Sequence, residues 1–140
     1  MAGEKNFENR VKKWLESEGI YPLGEAMDKM AVPPCGYYEK RWGGGRYVKS
    51  GLPDMRIVVC GIALEVELKD TTGKPSELQK RNIRQINRSG CLAFVLYPEG
   101  FDAFKSMVKG VKECQSDVPI AELKRSTVAL SNTACDTLTG

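Results

Sequence analysis

Between positions 54 and 69 the chain carries Asp54, Glu65, Glu67 and Lys69, residue types that hold metal ions and move protons. Asp54 to Cys60 is rich in β-formers, Gly61 marks a tight turn, and Ile62 to Lys69 alternates. If Cys60 and Gly61 form a two-residue turn, Val59 pairs with Ile62 and Asp54 stands opposite Glu67. Side chains so paired have Cβ atoms about 4.5–5.5 Å apart, and like charges there destabilise a sheet. Glu65 and Lys69 share Glu67's face, one pair of residues away on either side. A divalent cation between the carboxylates would make sense of such a face, because hard cations such as Mg²⁺ take oxygen ligands. The same alternation also describes a solvated strand face. Two features count against that simpler view. A helix and an apolar strand follow the hairpin, as beside a central sheet, and Pro53 stiffens the approach to Asp54.

The rest of the composition narrows the chemistry. The 140 residues include no histidine, so Ser-His-Asp and Cys-His systems, HExxH sites and His-based zinc sites are excluded. Carboxylates, lysine or a bound metal must handle protons in any enzyme built from this chain. The five cysteines, at 35, 60, 91, 114 and 135, form no CxxC pair, which argues against a disulfide framework or a four-cysteine zinc site. Cys60 and Cys91 lie in apolar runs and read as small buried residues. The net charge is +3, but residues 1–98 hold 16 Lys+Arg against 12 Asp+Glu, and residues 99–140 hold 5 against 6. Any electrostatic footprint for phosphate therefore belongs to the first two-thirds of the chain. No apolar signal core opens the sequence and no run approaches the roughly 20 residues of a membrane helix, so the expectation is a cytosolic protein without a membrane partner.

The elements that must position these residues follow from local patterns. Phe7, Val11, Trp14 and Leu15 predict an amphipathic helix over 4–18, stopped by Gly19. Residues 20–36 suggest only a short helix around Glu25–Met30. Tyr37 to Gly51 is aromatic, basic and glycine-rich, a loop that short strands could flank. Ser76 is a candidate N-cap for a helix over 77–89 that Gly90 closes. Cys91 to Tyr97 reads as a strand buried on both faces, and Phe101, Phe104, Met107, Val108 and Val111 mark a last helix. That stripe is either core or an interface. The expected fold is α/β, a mixed sheet flanked by helices, in one domain over 1–125 with a fraying tail over 126–140.

These residues carry a family resemblance. Gly51-Leu52-Pro53-Asp54, twelve intervening residues and then Glu67-Leu68-Lys69 resemble the PD-(D/E)XK nuclease signature. Gln79, ten residues beyond Lys69 at a helix start, is similar to the helical glutamine of one branch of that superfamily. The spacing and the Leu-Gln-Lys helix resemble the virus-type replication-repair nuclease (VRR-NUC) domain, to which the Holliday junction resolvases are related. The resemblance spans residues 50–98 and, less fully, 4–19. It implies a restriction-endonuclease-like core in which Asp54, Glu67 and the Leu68 carbonyl hold Mg²⁺ or Mn²⁺. Lys69 would orient or deprotonate the attacking water and Gln79 would support the metal or water shell. Glu8 on the first helix would join the metal shell or be an ordinary solvated glutamate, and Glu65, without a counterpart in the core motif, would support the site from behind its ligands or be a strand-edge charge.

Two basic surfaces could track a DNA backbone. One is the helix face of Lys80, Arg81, Arg84 and Arg88, where like charges at i,i+4 are mildly unfavourable unless solvated or matched by phosphate. The other interleaves Lys40, Arg41, Arg46 and Lys49 with Tyr38, Trp42 and Tyr47, aromatics that either pack on the core or stack on unpaired bases. Nothing here encodes a base sequence. The expected function is a metal-dependent endonuclease that hydrolyses phosphodiester bonds in branched DNA such as Holliday junctions, acting as a homodimer. The alternatives are a flap or single-strand nuclease or nickase with the same site, or a non-catalytic nucleic-acid-binding module.

Overall fold

The structure, a computed structural model, describes residues 2–41 and 50–117. Helix α1 (Ala2–Ser17) forms where the apolar period predicts it, with Phe7, Val11 and Leu15 buried at i, i+4 and i+8. Gly19, at φ +89°, turns the chain out of the helix, a conformation that costs glycine little.

Residues 20–36 carry the expected short helix as one 3₁₀ turn and add strands that the sequence pattern does not suggest. They hold strand β1 (Ile20–Pro22), a single 3₁₀ turn at Met27–Lys29 and the first residue of strand β2 (Gly36–Lys40). A three-residue strand ending in proline leaves no readable alternation. The hairpin follows as strands β3 (Met55–Val59) and β4 (Ile62–Leu68). Cys60 at φ +50° and Gly61 at φ +83° supply the two positive φ angles of a type I′ turn, which matches the twist of paired strands. The ladder runs from Val59↔Ile62 to Met55↔Val66, the register that a two-residue turn requires. Helix α2 (Glu77–Arg88), strand β5 (Leu92–Leu96) and helix α3 (Phe101–Asp117) complete the order.

The result is an α/β fold, a five-stranded mixed sheet in the order β1-β2-β3-β4-β5 with three helices. The outer pairs β1–β2 and β4–β5 are parallel and the inner pairs antiparallel. Met55, Ile57 and Val59 with Leu64, Val66 and Leu68 pack against Phe7, Val11 and Leu15 of α1 and against Phe101, Phe104 and Val108 of α3. Edge-on contacts of Phe7 with Phe101 and of Trp14 with Phe104 lock the two helices together. The Phe101–Val111 stripe is therefore core packing. The opposite set, Asp54, Arg56, Glu65 and Glu67, lies on the α2 side of the sheet, as alternation along a strand demands.

Two expectations are overturned. β5 is an edge strand with Leu92 40% exposed, not a strand buried on both faces. Cys91, which precedes it, is exposed, and Cys60 is only half-buried. A short apolar run has the same composition at an edge as in a sheet centre, and only the pairing distinguishes them. No helix among the described residues is long and apolar enough to cross a membrane. The expected tail over 126–140 lies outside the described residues.

Candidate active site

Continuing the β3–β4 ladder by one step places Asp54 opposite Glu67, and their backbones and carboxylates interlock. The Asp54 N–H donates to Glu67 Oε2 at 3.2 Å, and the Leu68 N–H donates to Asp54 Oδ2 at 2.9 Å. Glu67 Oε1 accepts from Gln79 Nε2 at 2.8 Å and lies 3.4 Å from Lys69 Nζ. The Glu67 residue is only 1% exposed. Burial, and then the charge of Asp54, push its carboxyl up to about 7, against the pull of Lys69. Asp54 facing Glu67 with Lys69 on the same face is the arrangement that the hairpin register anticipates, and α2 adds the Gln79 amide.

The approach to Asp54 is held from two sides. Gly51 adopts φ +76°, and a Cβ there would meet Leu78 Cγ at 2.6 Å and Asn82 Nδ2 at 2.8 Å. That closeness lets Asn82 Nδ2 donate to the Gly51 carbonyl at 2.8 Å, tying the loop to α2. From β2, the Arg41 N–H donates to the Asp54 carbonyl at 2.7 Å and Arg41 Nη1 donates to the Pro53 carbonyl at 3.0 Å.

Gln79 does two jobs at the start of α2. Its N–H donates to Ser76 Oγ at 3.1 Å while its Oε1 accepts from the Ser76 N–H at 2.8 Å, a reciprocal capping box. With Oε1 engaged at the cap, Nε2 is left pointing at Glu67. The motif alone shows the glutamine but not that a cap orients it.

Glu65 and Glu8 are both buried, and each is surrounded by cations. Glu65 accepts from Arg41 Nη1 at 2.6 Å, Arg41 Nη2 at 3.1 Å and Arg56 Nε at 2.7 Å. Burial raises its pKa, but these hydrogen bonds outweigh it and hold the carboxyl below the ordinary range. Glu8 bonds Lys40 and lies 3.1 Å from Lys12 and 3.7 Å from Lys5. Its pKa is likewise lowered, because Lys40 and Lys12 outweigh burial. Lys40 pairs with Met55, on the α1 side of the sheet, so Glu8 sits across the sheet from the Asp54–Glu67 pair. Among the described residues no group of three or more His, Cys, Asp or Glu side chains gathers at one point. Asp54, Glu67, Lys69, Gln79 and the Leu68 backbone come together, and Glu8 does not join them.

Of the basic residues, Lys40 and Arg41 are bound to internal carboxylates. Lys80 reaches Glu77 at 3.1 Å, and Arg81, Arg84 and Arg88 stand exposed on α2. Arg46 and Lys49, with Trp42 and Tyr47, lie outside the described residues. The Arg41–Glu65–Arg56 network had a partial signal in sequence, since the hairpin register already sets Arg56 opposite Glu65. Arg41 enters through the β2–β3 pairing, which has no local pattern.

The donor set suits a hard divalent cation. Mg²⁺ binds through one or two carboxylates and keeps several waters, and a second positive charge would relieve the repulsion that Lys69 alone leaves at Glu67. Comparisons with family models, with curated proteins and with solved structures give no match for this chain.

Proposed function

We propose that this chain is a metal-dependent, structure-selective DNA endonuclease with a restriction-endonuclease-like core of the VRR-NUC kind. The observation that carries this is the buried Glu67 facing Asp54 with Lys69 and Gln79 on its free oxygen. A face designed only for stability would not bury Glu67 against the half-buried Asp54, since burial costs the carboxylate its solvation and the like charge repels it.

Asp54 and Glu67 would hold Mg²⁺ or Mn²⁺ with the Leu68 carbonyl. A metal so held would supply an activated water and offset the negative charge that develops on the phosphate oxygens. The protein's own part is geometric and electrostatic. Gln79 keeps Glu67 Oε1 directed, and the cap keeps Gln79 directed. Lys69 carries its charge beside the pair, where it can orient a water, share its proton or neutralise a non-bridging phosphate oxygen. The exposed Arg81, Arg84 and Arg88 offer contacts to the flanking phosphates without reading bases. Symmetric cutting of a four-way junction requires two such sites related by a twofold axis, so the proposal includes a homodimer.

The test offers the protein Mg²⁺ or Mn²⁺ with four-way junction, flap, linear duplex and single-stranded DNA. Cleavage is expected, with preference for branched substrates, and Asp54→Ala or Lys69→Ala should lower it by about 10²-fold or more. Cleavage that persists equally in both variants would sink the site assignment. A wild type that binds junctions and cuts none of them with either metal would instead be a binding module.

A further inference from the structure

Arg41 belongs by its position to the basic stretch that could contact phosphate, yet its hydrogen bonds place it elsewhere. Its guanidinium donates three times, from Nη1 to the Pro53 carbonyl at 3.0 Å and to Glu65 Oε2 at 2.6 Å, and from Nη2 to Glu65 Oε1 at 3.1 Å. Its main-chain N–H donates to the Asp54 carbonyl at 2.7 Å. The two bonds to Glu65 make a bidentate fork, the strongest and most directional way for arginine to hold a carboxylate. Glu65 is 5% exposed and fixed again by Arg56 Nε at 2.7 Å, so the fork rests on a buried anchor.

We propose that Arg41 and Glu65 form a clamp on the Pro53–Asp54 segment, making both of them positioning residues for the carboxylate pair rather than contacts to DNA. This rests on the assignment of Asp54 and Glu67 to the metal. The geometry argues it in three steps. Asp54 lies one residue outside the β3 ladder, so the β3–β4 pairing does not by itself fix its backbone. Arg41 is the residue opposite it, one step beyond Lys40↔Met55, and bonds the carbonyls of the two peptides that flank the Asp54 Cα. Turning Arg41 toward a phosphate would abandon Glu65 in the interior with Arg56 alone, an expensive loss for a buried carboxylate. Groups that orient metal-binding side chains in this way commonly change metal affinity by 10–100-fold when removed.

The experiment uses the full chain with Mn²⁺ alone, followed by electron paramagnetic resonance, and junction DNA binding without metal, followed by anisotropy across a salt series. Arg41→Lys keeps the positive charge but loses the fork, so it separates the two roles. The clamp predicts that Arg41→Lys and Glu65→Gln weaken Mn²⁺ binding by about tenfold or more. Both should speed hydrogen exchange at the Asp54 and Leu68 amides while leaving DNA affinity within about twofold. Arg84→Gln should show the reverse, with lower DNA affinity, unchanged Mn²⁺ affinity and unchanged exchange. Unchanged Mn²⁺ affinity with unchanged exchange in Arg41→Lys overturns the clamp. So does a loss of DNA affinity and salt slope in Arg41→Gln that matches Arg84→Gln. A wild type that cuts no DNA would defeat the nuclease proposal alone, because amide exchange and metal affinity are read without turnover.

Discussion

At Glu67 the proposed function and stability pull in opposite directions. Its carboxyl titrates near 7 in the fold against an ordinary value of 4.5, so the folded state binds that proton more tightly than the unfolded chain does. The stability linked to that proton is fully present below pH 4.5 and is lost as pH rises through 7. Glu67→Gln removes the titration while keeping the shape. Without metal, the variant should match wild type near pH 4.5 and exceed it at pH 8 by up to about 3 kcal/mol, as pKa differences convert at about 1.4 kcal/mol per unit. Denaturant melts at the two pH values measure this, and a difference that is flat with pH would refute the strain assigned to Glu67. Cleavage should fall by at least about 10²-fold in the same protein. At this scale the pair itself was legible, because a two-residue turn fixes which residues face each other. Glu65 was legible only in part, since the register sets Arg56 opposite it but gives no sign of Arg41.

At the scale of elements, helix α2 does more than cover the sheet. Its capping box, its hold on Gly51 through Asn82 and its bond to Glu67 all lie within its first two turns. Gln79→Glu tests whether the amide donor matters apart from the cap. Glutamate at this position still accepts from the Ser76 N–H and suits the positive end of the helix dipole. It would, however, aim a third acid at Glu67 Oε1 in place of Nε2. Helix content by circular dichroism should be unchanged and cleavage should fall by about tenfold or more; full activity would show that no donor is needed there. The helices, the hairpin and β5 were readable because each carries its own period or turn residues. β1 and β2 carry neither, since their pairing joins Ile20 to Gly36 and Lys40 to Met55 across long separations. The clamp inherits that opacity, because Arg41 acquires its role only when β2 docks beside β3. Edge or centre for β5 is likewise decided by what lies beside the strand, not by Leu92-Ala93-Phe94-Val95-Leu96 itself.

Across the whole molecule, the basic residues divide by their employment. Lys5, Lys12 and Lys40 surround Glu8, Arg41 and Arg56 surround Glu65, and Lys69 faces Glu67. The excess of +4 in residues 1–98 is thus no simple count of charges available to DNA, because these six offset carboxylates inside the fold. Among the described residues, the exposed Arg81, Arg84 and Arg88 form the clearest remaining row, on the same side of the sheet as the carboxylate pair. If that row tracks a backbone, its contribution is the release of counterions. Each neutralised phosphate on duplex DNA contributes about 0.9 to the slope of log affinity against log salt. Replacing all three arginines with glutamine should therefore flatten the slope by about 2.7 for full engagement, as read by anisotropy between 50 and 200 mM salt. Lys40→Gln should leave the slope nearly unchanged and lower thermal stability instead, since it strips a partner from the buried Glu8. Equal slopes in the triple variant and wild type would move the DNA track off α2, and a reduced slope in Lys40→Gln would mean that its lysine leaves Glu8 for phosphate.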